Sequence, residues 1–229
     1  MIYITGDTHG NFNRIKKFCL DYNTTKDDYL IILGDAGINY FGKEDNKLKE
    51  ELQKLPITFL FVYGNHEERP ENIKTYKLIP KFDNLVFQEE AYPNLIFFKD
   101  GEIYNINNQR VLVIGGAFSI NKDLIIKSGY KWFKDEQPSD FIKQLTIENL
   151  IKNNNKVDII LSHTCPYKYL PHEMFHIGVD QSEVDQSLEH FFDKIDENVE
   201  YKKWYCGHFH TDKIIDKMVF MFEGIKTLE

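Results

Sequence analysis

Thr58-Phe59-Leu60-Phe61-Val62-Tyr63-Gly64-Asn65-His66-Glu67 is an apolar run of strand length that stops at a glycine and turns abruptly polar. A strand that is apolar on both faces belongs in a sheet covered by helices. The polar residues at its carboxyl end lie where open α/β sheets bind ligands. The pattern recurs four times. Ile2-Tyr3-Ile4 leads to Asp7-Thr8-His9, and Tyr29–Leu33 leads to Gly34-Asp35. Residues 157–161 lead to Ser162-His163, and residues 204–206 lead to Gly207-His208-Phe209-His210. The first three blocks are separated by nearly equal steps, each the length of one strand-helix unit.

Helical spacing fills the first two gaps. Phe12, Ile15, Phe18 and Cys19 recur on one side, as do Leu48, Leu52 and Leu55 within 47–55. The middle of the chain reads differently. Short strand candidates at 85–87, 95–98, Glu102–Ile106 and 111–114 are separated by turn residues, which predicts hairpins and a second sheet with antiparallel pairing. Residues 118–138 have no clear period and read as a long ordered loop. Ser139 reads as the N-cap of a helix with Phe141, Ile142 and Leu145 on its buried side. A helix over 182–194 and a closing hairpin from 213–216 and 218–222 complete the reading. No linker or repeat interrupts it, so the whole of 1–229 is expected to be one α/β (α+β) domain.

Composition narrows the function. A net charge of −8 argues against a general nucleic-acid or membrane surface binder, since such proteins carry a basic field. No signal-like leader follows Met1, and no apolar run has the length of a bilayer span. The three cysteines, Cys19, Cys165 and Cys206, lack CxxC spacing, which disfavours a disulfide framework or zinc ribbon and makes a reducing cytoplasm the expected location. Only Arg14, Arg69 and Arg110 offer the planar fork that grips phosphate in two places.

The five blocks supply Asp, Asn and His without thiolate. Mixed oxygen and nitrogen ligands suit manganese, iron, zinc, cobalt or nickel better than calcium. The order DxH, GD, GNHE, H, GHxH over positions 7 to 210 resembles the calcineurin-like metallophosphoesterases. The resemblance implies a four-layer αββα sandwich of two mixed sheets flanked by helices, and two divalent metal ions, manganese favoured. It implies that Asp7, His9 and His210 hold one metal, that Asn65, His163 and His208 hold the other, and that Asp35 bridges them. It further implies a hydroxide between the metals as nucleophile and His66 as proton donor to the leaving oxygen. The expected partner is a phosphorylated substrate. Phosphomonoesters are favoured. The alternatives are a phosphodiesterase or nuclease acting on nucleotides, and a non-catalytic binding module on the same fold.

One departure stands out. The family's protein phosphatases continue the second block as GDxxDRG, whereas here Ile38 and Asn39 follow Gly34-Asp35-Ala36-Gly37. Arg69 and Asn39 are therefore the candidates for contacting substrate phosphate, with Lys122 a weaker one, and Glu67 or Glu68 could orient His66. A surface ion pair with a neighbouring glutamate competes for Arg69. His172, His176 and His190 belong to no block and are expected to be solvated or capping.

Overall fold

The computed structural model describes residues 1–175 and 181–229. Its first half alternates strands and helices. β1 (Ile2–Thr5), α1 (Asn13–Tyr22), β2 (Tyr29–Leu33), α2 (Asn46–Lys54) and β3 (Thr58–Val62) follow in order, and the three strands run parallel. Alternate residues of these strands face opposite ways. Ile4, Ile31, Leu33, Leu60 and Val62 point to the middle of the molecule. Leu30, Ile32, Phe59 and Phe61 point outward, where Ile15 and Phe18 of α1 and Leu52 of α2 cover them. Full burial of such a side chain is worth about 1.5–3 kcal/mol.

The hairpin-rich middle divides between two sheets. β4 (Tyr76–Lys81), β5 (Asn84–Glu89) and β6 (Leu95–Phe97) extend the first sheet, to which the terminal β13 (Lys226–Thr227) also adds, giving the order β13-β1-β2-β3-β6-β5-β4. Only β7 (Glu102–Ile106) and β8 (Gln109–Ile114) open the second sheet. That sheet continues through β9 (Ile159–Ser162), β10 (Lys203–Cys206), β11 (Lys213–Ile215) and β12 (Met218–Phe220) in the order β11-β12-β10-β9-β8-β7. Here too β8, β9, β10 and β12 are parallel neighbours.

The inner faces meet in one core. Ile4, Ile31 and Leu60 of the first sheet pack with Val111, Val113, Ile159, Leu161 and Tyr205 of the second. The outer face of the second sheet is covered by Leu150 of α4 (Asp140–Lys152) and by Leu188, Phe192 and Ile195 of α5 (Ser187–Asn198). Helix, sheet, sheet, helix is the four-layer arrangement implied by the sequence motifs. No helix among the described residues is long and apolar enough to cross a membrane.

Three local expectations change. Residues 118–138 contain a short helix, α3 (Lys122–Lys127). Ser139 does cap α4, accepting the Ile142 N–H at 3.4 Å, but Phe141 is exposed and the buried side is Thr146 and Leu150. The helix expected over 182–194 begins at Ser187, after a 3₁₀ turn at Gln181–Glu183.

Candidate active site

All five polar blocks sit on loops that leave the carboxyl ends of parallel strands. Asp7 and His9 follow β1, Asp35 follows β2, Asn65 and His66 follow β3, His163 follows β9, and His208 and His210 follow β10. The loops are laced together. The amides of Thr8 and His9 both donate to the Asp35 carbonyl, at 3.2 and 2.8 Å. Arg14 donates to the carbonyls of Gly6, Asp7 and Phe222, fixing the first loop to the end of the second sheet.

The motif glycines act by making space as much as by turning. A Cβ on Gly34 would lie 2.2 Å from Nδ1 of His163, one on Gly64 would lie 2.1 Å from Oδ1 of Asp35, and one on Gly207 would lie 2.4 Å from Oδ1 of Asp7. Each bare backbone lets a polar side chain from another strand pass. Only Gly34 of the three has a positive φ. His9, Asp35, His208 and His210 themselves adopt the left-handed backbone region. Such residues cluster at functional sites and cost on the order of 1–3 kcal/mol each.

Two groups of ligand-type atoms result. Nε2 of His9 and Nε2 of His210 are 3.0 Å apart, and they stand 3.6 and 3.2 Å from Oδ2 of Asp7. That carboxylate oxygen is buried with no hydrogen-bond partner among the described residues. In the second group, Nε2 of His163 lies 2.9 Å from Oδ1 of Asn65 and 3.4 Å from Oδ2 of Asp35. Nδ1 of His163 meets the Leu33 carbonyl at 2.6 Å. A ring that donates from Nδ1 turns Nε2 to the site, as metal-binding imidazoles do. The His208 ring meets that of His163 edge-on at 5.0 Å between centroids, and the His208 backbone N–H donates to Oδ1 of Asp7. Asp7, His9 and His210 are close enough to share one cation, as are Asp7, Asp35 and His163. Asp7 thus belongs to both groups.

The electrostatics agree with a cation-seeking site. Burial opposes a charge on His163, yet Asp35 and Asp7 beside it raise its pKa to about 10. Burial likewise opposes charge on Asp35, but His163, His66 and His9 hold it well below the usual carboxylate range. His208 is pushed down to about 3 by burial and by His163. Several buried acceptors facing one another across short gaps fit divalent ions, whose charge would offset that of the two acids.

His66 stands on the wall of the same cleft, and its backbone N–H donates to Oδ1 of Asp35 at 2.9 Å. Glu67 does not reach the imidazole. Its Oε1 accepts the Gly64 N–H at 2.7 Å, and its carboxyl is pushed up to about 8 by burial and by Asp35.

The two candidates for gripping phosphate lie elsewhere. Arg69 is 4% exposed, with its guanidinium 3.9 Å over the Tyr63 ring and 2.6 Å from Oδ2 of Asp100. Its near partner is the buried Asp100, the exposed Glu71 stands 4.0 Å from the same nitrogen, and Arg69 does not line the cleft. Asn39 is 2% exposed and accepts the Tyr76 hydroxyl at 3.1 Å. Both side chains are buried and neither lines the cleft. Lys122 lies 3.8 Å over the Trp132 ring. His172 and His190 are exposed and do not line the cleft, though the His172 ring lies 4.9 Å from that of Phe175, which does, and His176 falls outside the described residues.

The loop over 118–138 supplies residues that carry no sequence signal. Oγ of Ser119 accepts from Nδ2 of Asn65 at 2.9 Å, which sets the Asn65 amide with its oxygen toward His163. Glu136 accepts the Ser119 N–H at 3.1 Å and the Trp132 indole N–H at 2.7 Å. An aromatic loop with no period gave no reason to single these out.

A family model for calcineurin-like phosphoesterases matches residues 1–212. Among solved structures, the phosphopantetheinyl hydrolase PptH from Mycobacterium tuberculosis is 10% identical, with 96% of this chain and 87% of that one covered and a TM-score of 0.46. A protein of unknown function from Aquifex aeolicus, AQ665, is 17% identical over 74% of this chain and 81% of that one, with a TM-score of 0.36. A protein serine/threonine phosphatase from Saccharomyces cerevisiae with similarity to human phosphatase PP5 is 15% identical over 96% and 66%, also with a TM-score of 0.36. No curated protein sequence matches the chain. With the family match running through all five blocks, the chain belongs to the calcineurin-like phosphoesterases.

Proposed function

We propose that the protein is a dinuclear metal-dependent phosphoesterase that favours phosphomonoesters. The observation that supports this best is the pair of buried acids, Asp7 and Asp35, each among imidazoles, with Asp35 and His66 both lining one cleft. In this reading Asp7, His9 and His210 would hold one ion, Asn65, His163 and His208 would hold the other, and Asp35 would serve both. When bound, two divalent ions supply Lewis-acid stabilisation of phosphoryl charge and an acidified water. The chain's own part is positioning and proton delivery. The bond from phosphorus to the ester oxygen breaks as the oxygen of water takes its place. The proton that the departing alkoxide needs comes from the His66 ring, and the proton given up by the attacking water restores the ring. No lysine or arginine lines the cleft among the described residues, which disfavours polyanionic substrates such as oligonucleotides.

The test is turnover of an aryl phosphate and a bis-aryl phosphate by purified protein with added manganese. Inertness on both would overturn the reading, and a strong preference for the diester would overturn the monoester part.

Binding of metal should also stabilise the fold. At a free concentration about 100 times Kd, one ion adds about 2.7 kcal/mol, which for a chain of this size raises Tm by roughly 5–10 °C. Thermal scans with manganese and with a chelator should differ by at least that much, and coincident scans would contradict a metal centre.

Ser119→Ala should free the Asn65 amide to rotate. Loss of such a supporting hydrogen bond weakens metal binding by about 10–100-fold. Titration calorimetry should show one of two ions weakened and the other unchanged. Two unchanged ions would remove Ser119 from this role.

A further inference from the structure

The cleft lined by the histidines has a volume of about 360 Å³ in all and extends beyond them. That is enough for a small organic group. Its far wall is apolar, built from Ile120, Leu170, Met174, Phe175, Val184 and Phe209. Ile120 and Met174 keep about two-fifths of their surface exposed, 43% and 40%. Apolar surface left open beside a polar reaction centre marks a binding region.

Polar side chains also line the cavity, Ser119, Asn121, Gln186 and Glu189 among them, and Glu189 is the carboxylate of that set. Glu189, on the inner side of α5, is 6% exposed and lines the cavity. Its Oε1 accepts the Thr164 hydroxyl at 2.8 Å, while its buried Oε2 has no hydrogen-bond partner among the described residues. Burial pushes its carboxyl up to about 7. A carboxyl oxygen left without a donor in an apolar setting is costly, and a ligand that brings the donor recovers that cost. Neither the proposed metal ligands nor His66 uses this group.

We infer that this cavity receives the alcohol part of the substrate, and that this part is a compact apolar or aromatic group carrying one hydrogen-bond donor or amine that meets Glu189. The inference rests on the phosphoesterase reading above. It separates the protein from enzymes acting on phosphoserine or sugar phosphates, whose alcohol parts would leave this wall unfilled.

Three esters whose alcohols leave with similar ease make the test: glycerol 3-phosphate, benzyl phosphate and 4-(aminomethyl)benzyl phosphate. The corresponding methyl diesters replace them if those are the ones turned over. kcat/KM for the benzyl ester should exceed that for the glycerol ester by about tenfold or more, the scale on which apolar pockets discriminate. The aminomethyl ester should gain about a further tenfold, as expected for a hydrogen bond involving charge. In the double variant Ile120→Asn, Met174→Asn the benzyl-to-glycerol ratio should fall toward one. In Glu189→Gln the aminomethyl-to-benzyl ratio should fall toward one, with Tm reporting whether the helix still packs. Equal rates on all three esters by the wild-type protein would overturn the subsite, whatever the variants do. Turnover of none of them by protein that does hydrolyse the aryl or bis-aryl phosphate would also overturn the subsite, whereas inertness on those two esters as well would overturn the phosphoesterase reading itself.

Discussion

Asp35→Asn should leave a folded protein with turnover reduced by roughly 10³-fold or more, the equivalent of about 4 kcal/mol of transition-state stabilisation. The substitution keeps the shape of the side chain and its place beside the backbone of His66, from which Oδ1 accepts at 2.9 Å. What it removes is the charge facing His163 at 3.4 Å. The imidazole of His163 can release its proton, so the core survives, but the second group of ligands is then left with two neutral amides, at position 35 and at Asn65, and with Asp7 as its one carboxylate. The rise in Tm on adding manganese should shrink with the activity. Retention of more than a tenth of wild-type turnover, with the rise in Tm intact, would mean that Asp35 is not part of the reaction centre.

Arg69→Met should be the most damaging change outside the site. Arg69 and Asp100 form a buried ion pair at 2.6 Å, and Asp100 also accepts the Gly115 N–H at 2.7 Å. The guanidinium reaches further, donating from Nε to the Asp135 carbonyl at 2.8 Å. It therefore ties the loop after β3 to the start of the second sheet and to the 118–138 loop. Removing one member of a buried pair strands the other charge and costs about 3–5 kcal/mol, a drop in Tm of roughly 6–20 °C for a chain of this size. Changing Asp100 to Leu in the same molecule should restore part of that loss, because the stranded charge is gone. KM for phosphate esters should not move. An increase in KM with Tm unchanged would return Arg69 to the substrate.

These two residues mark the boundary of what sequence conveys. Asp35 was legible because its block repeats at strand ends, and each strand is apolar enough to be recognised as covered on both faces. Arg69 was not, since its partner Asp100 is 31 residues away and no local pattern links them. β4 was missed for a related reason. Tyr76–Lys81 is an edge strand with a largely exposed pattern and a proline, Pro80, so it lacks the apolar signature of its neighbours. Phe141 misled the orientation of α4 because helical spacing also admits the face buried by Thr146 and Leu150. Ser119, Glu136 and Glu189 act through partners brought together only by the fold. The resemblance made Asp35 the bridge; in the fold Asp35 stands beside His163, and Asp7 stands close to the ligand atoms of both groups.

The division of the site between the two sheets also fixes when it can exist. Each ligand group draws on both: Asp7 and His9 wait for His210, and Asp7 and Asp35 wait for His163. The His9–His210 contact spans 201 positions. During synthesis the first sheet's parallel strands emerge early, and domains begin to order from the amino end. The reaction centre still cannot assemble until β10 has left the ribosome and docked. A nascent or truncated chain ending before Gly207 would carry four of the seven proposed ligands on the first sheet and His163 on the second, yet have no complete first group. Competence for chemistry arrives in one late step, as the closing of nearly the whole chain upon itself.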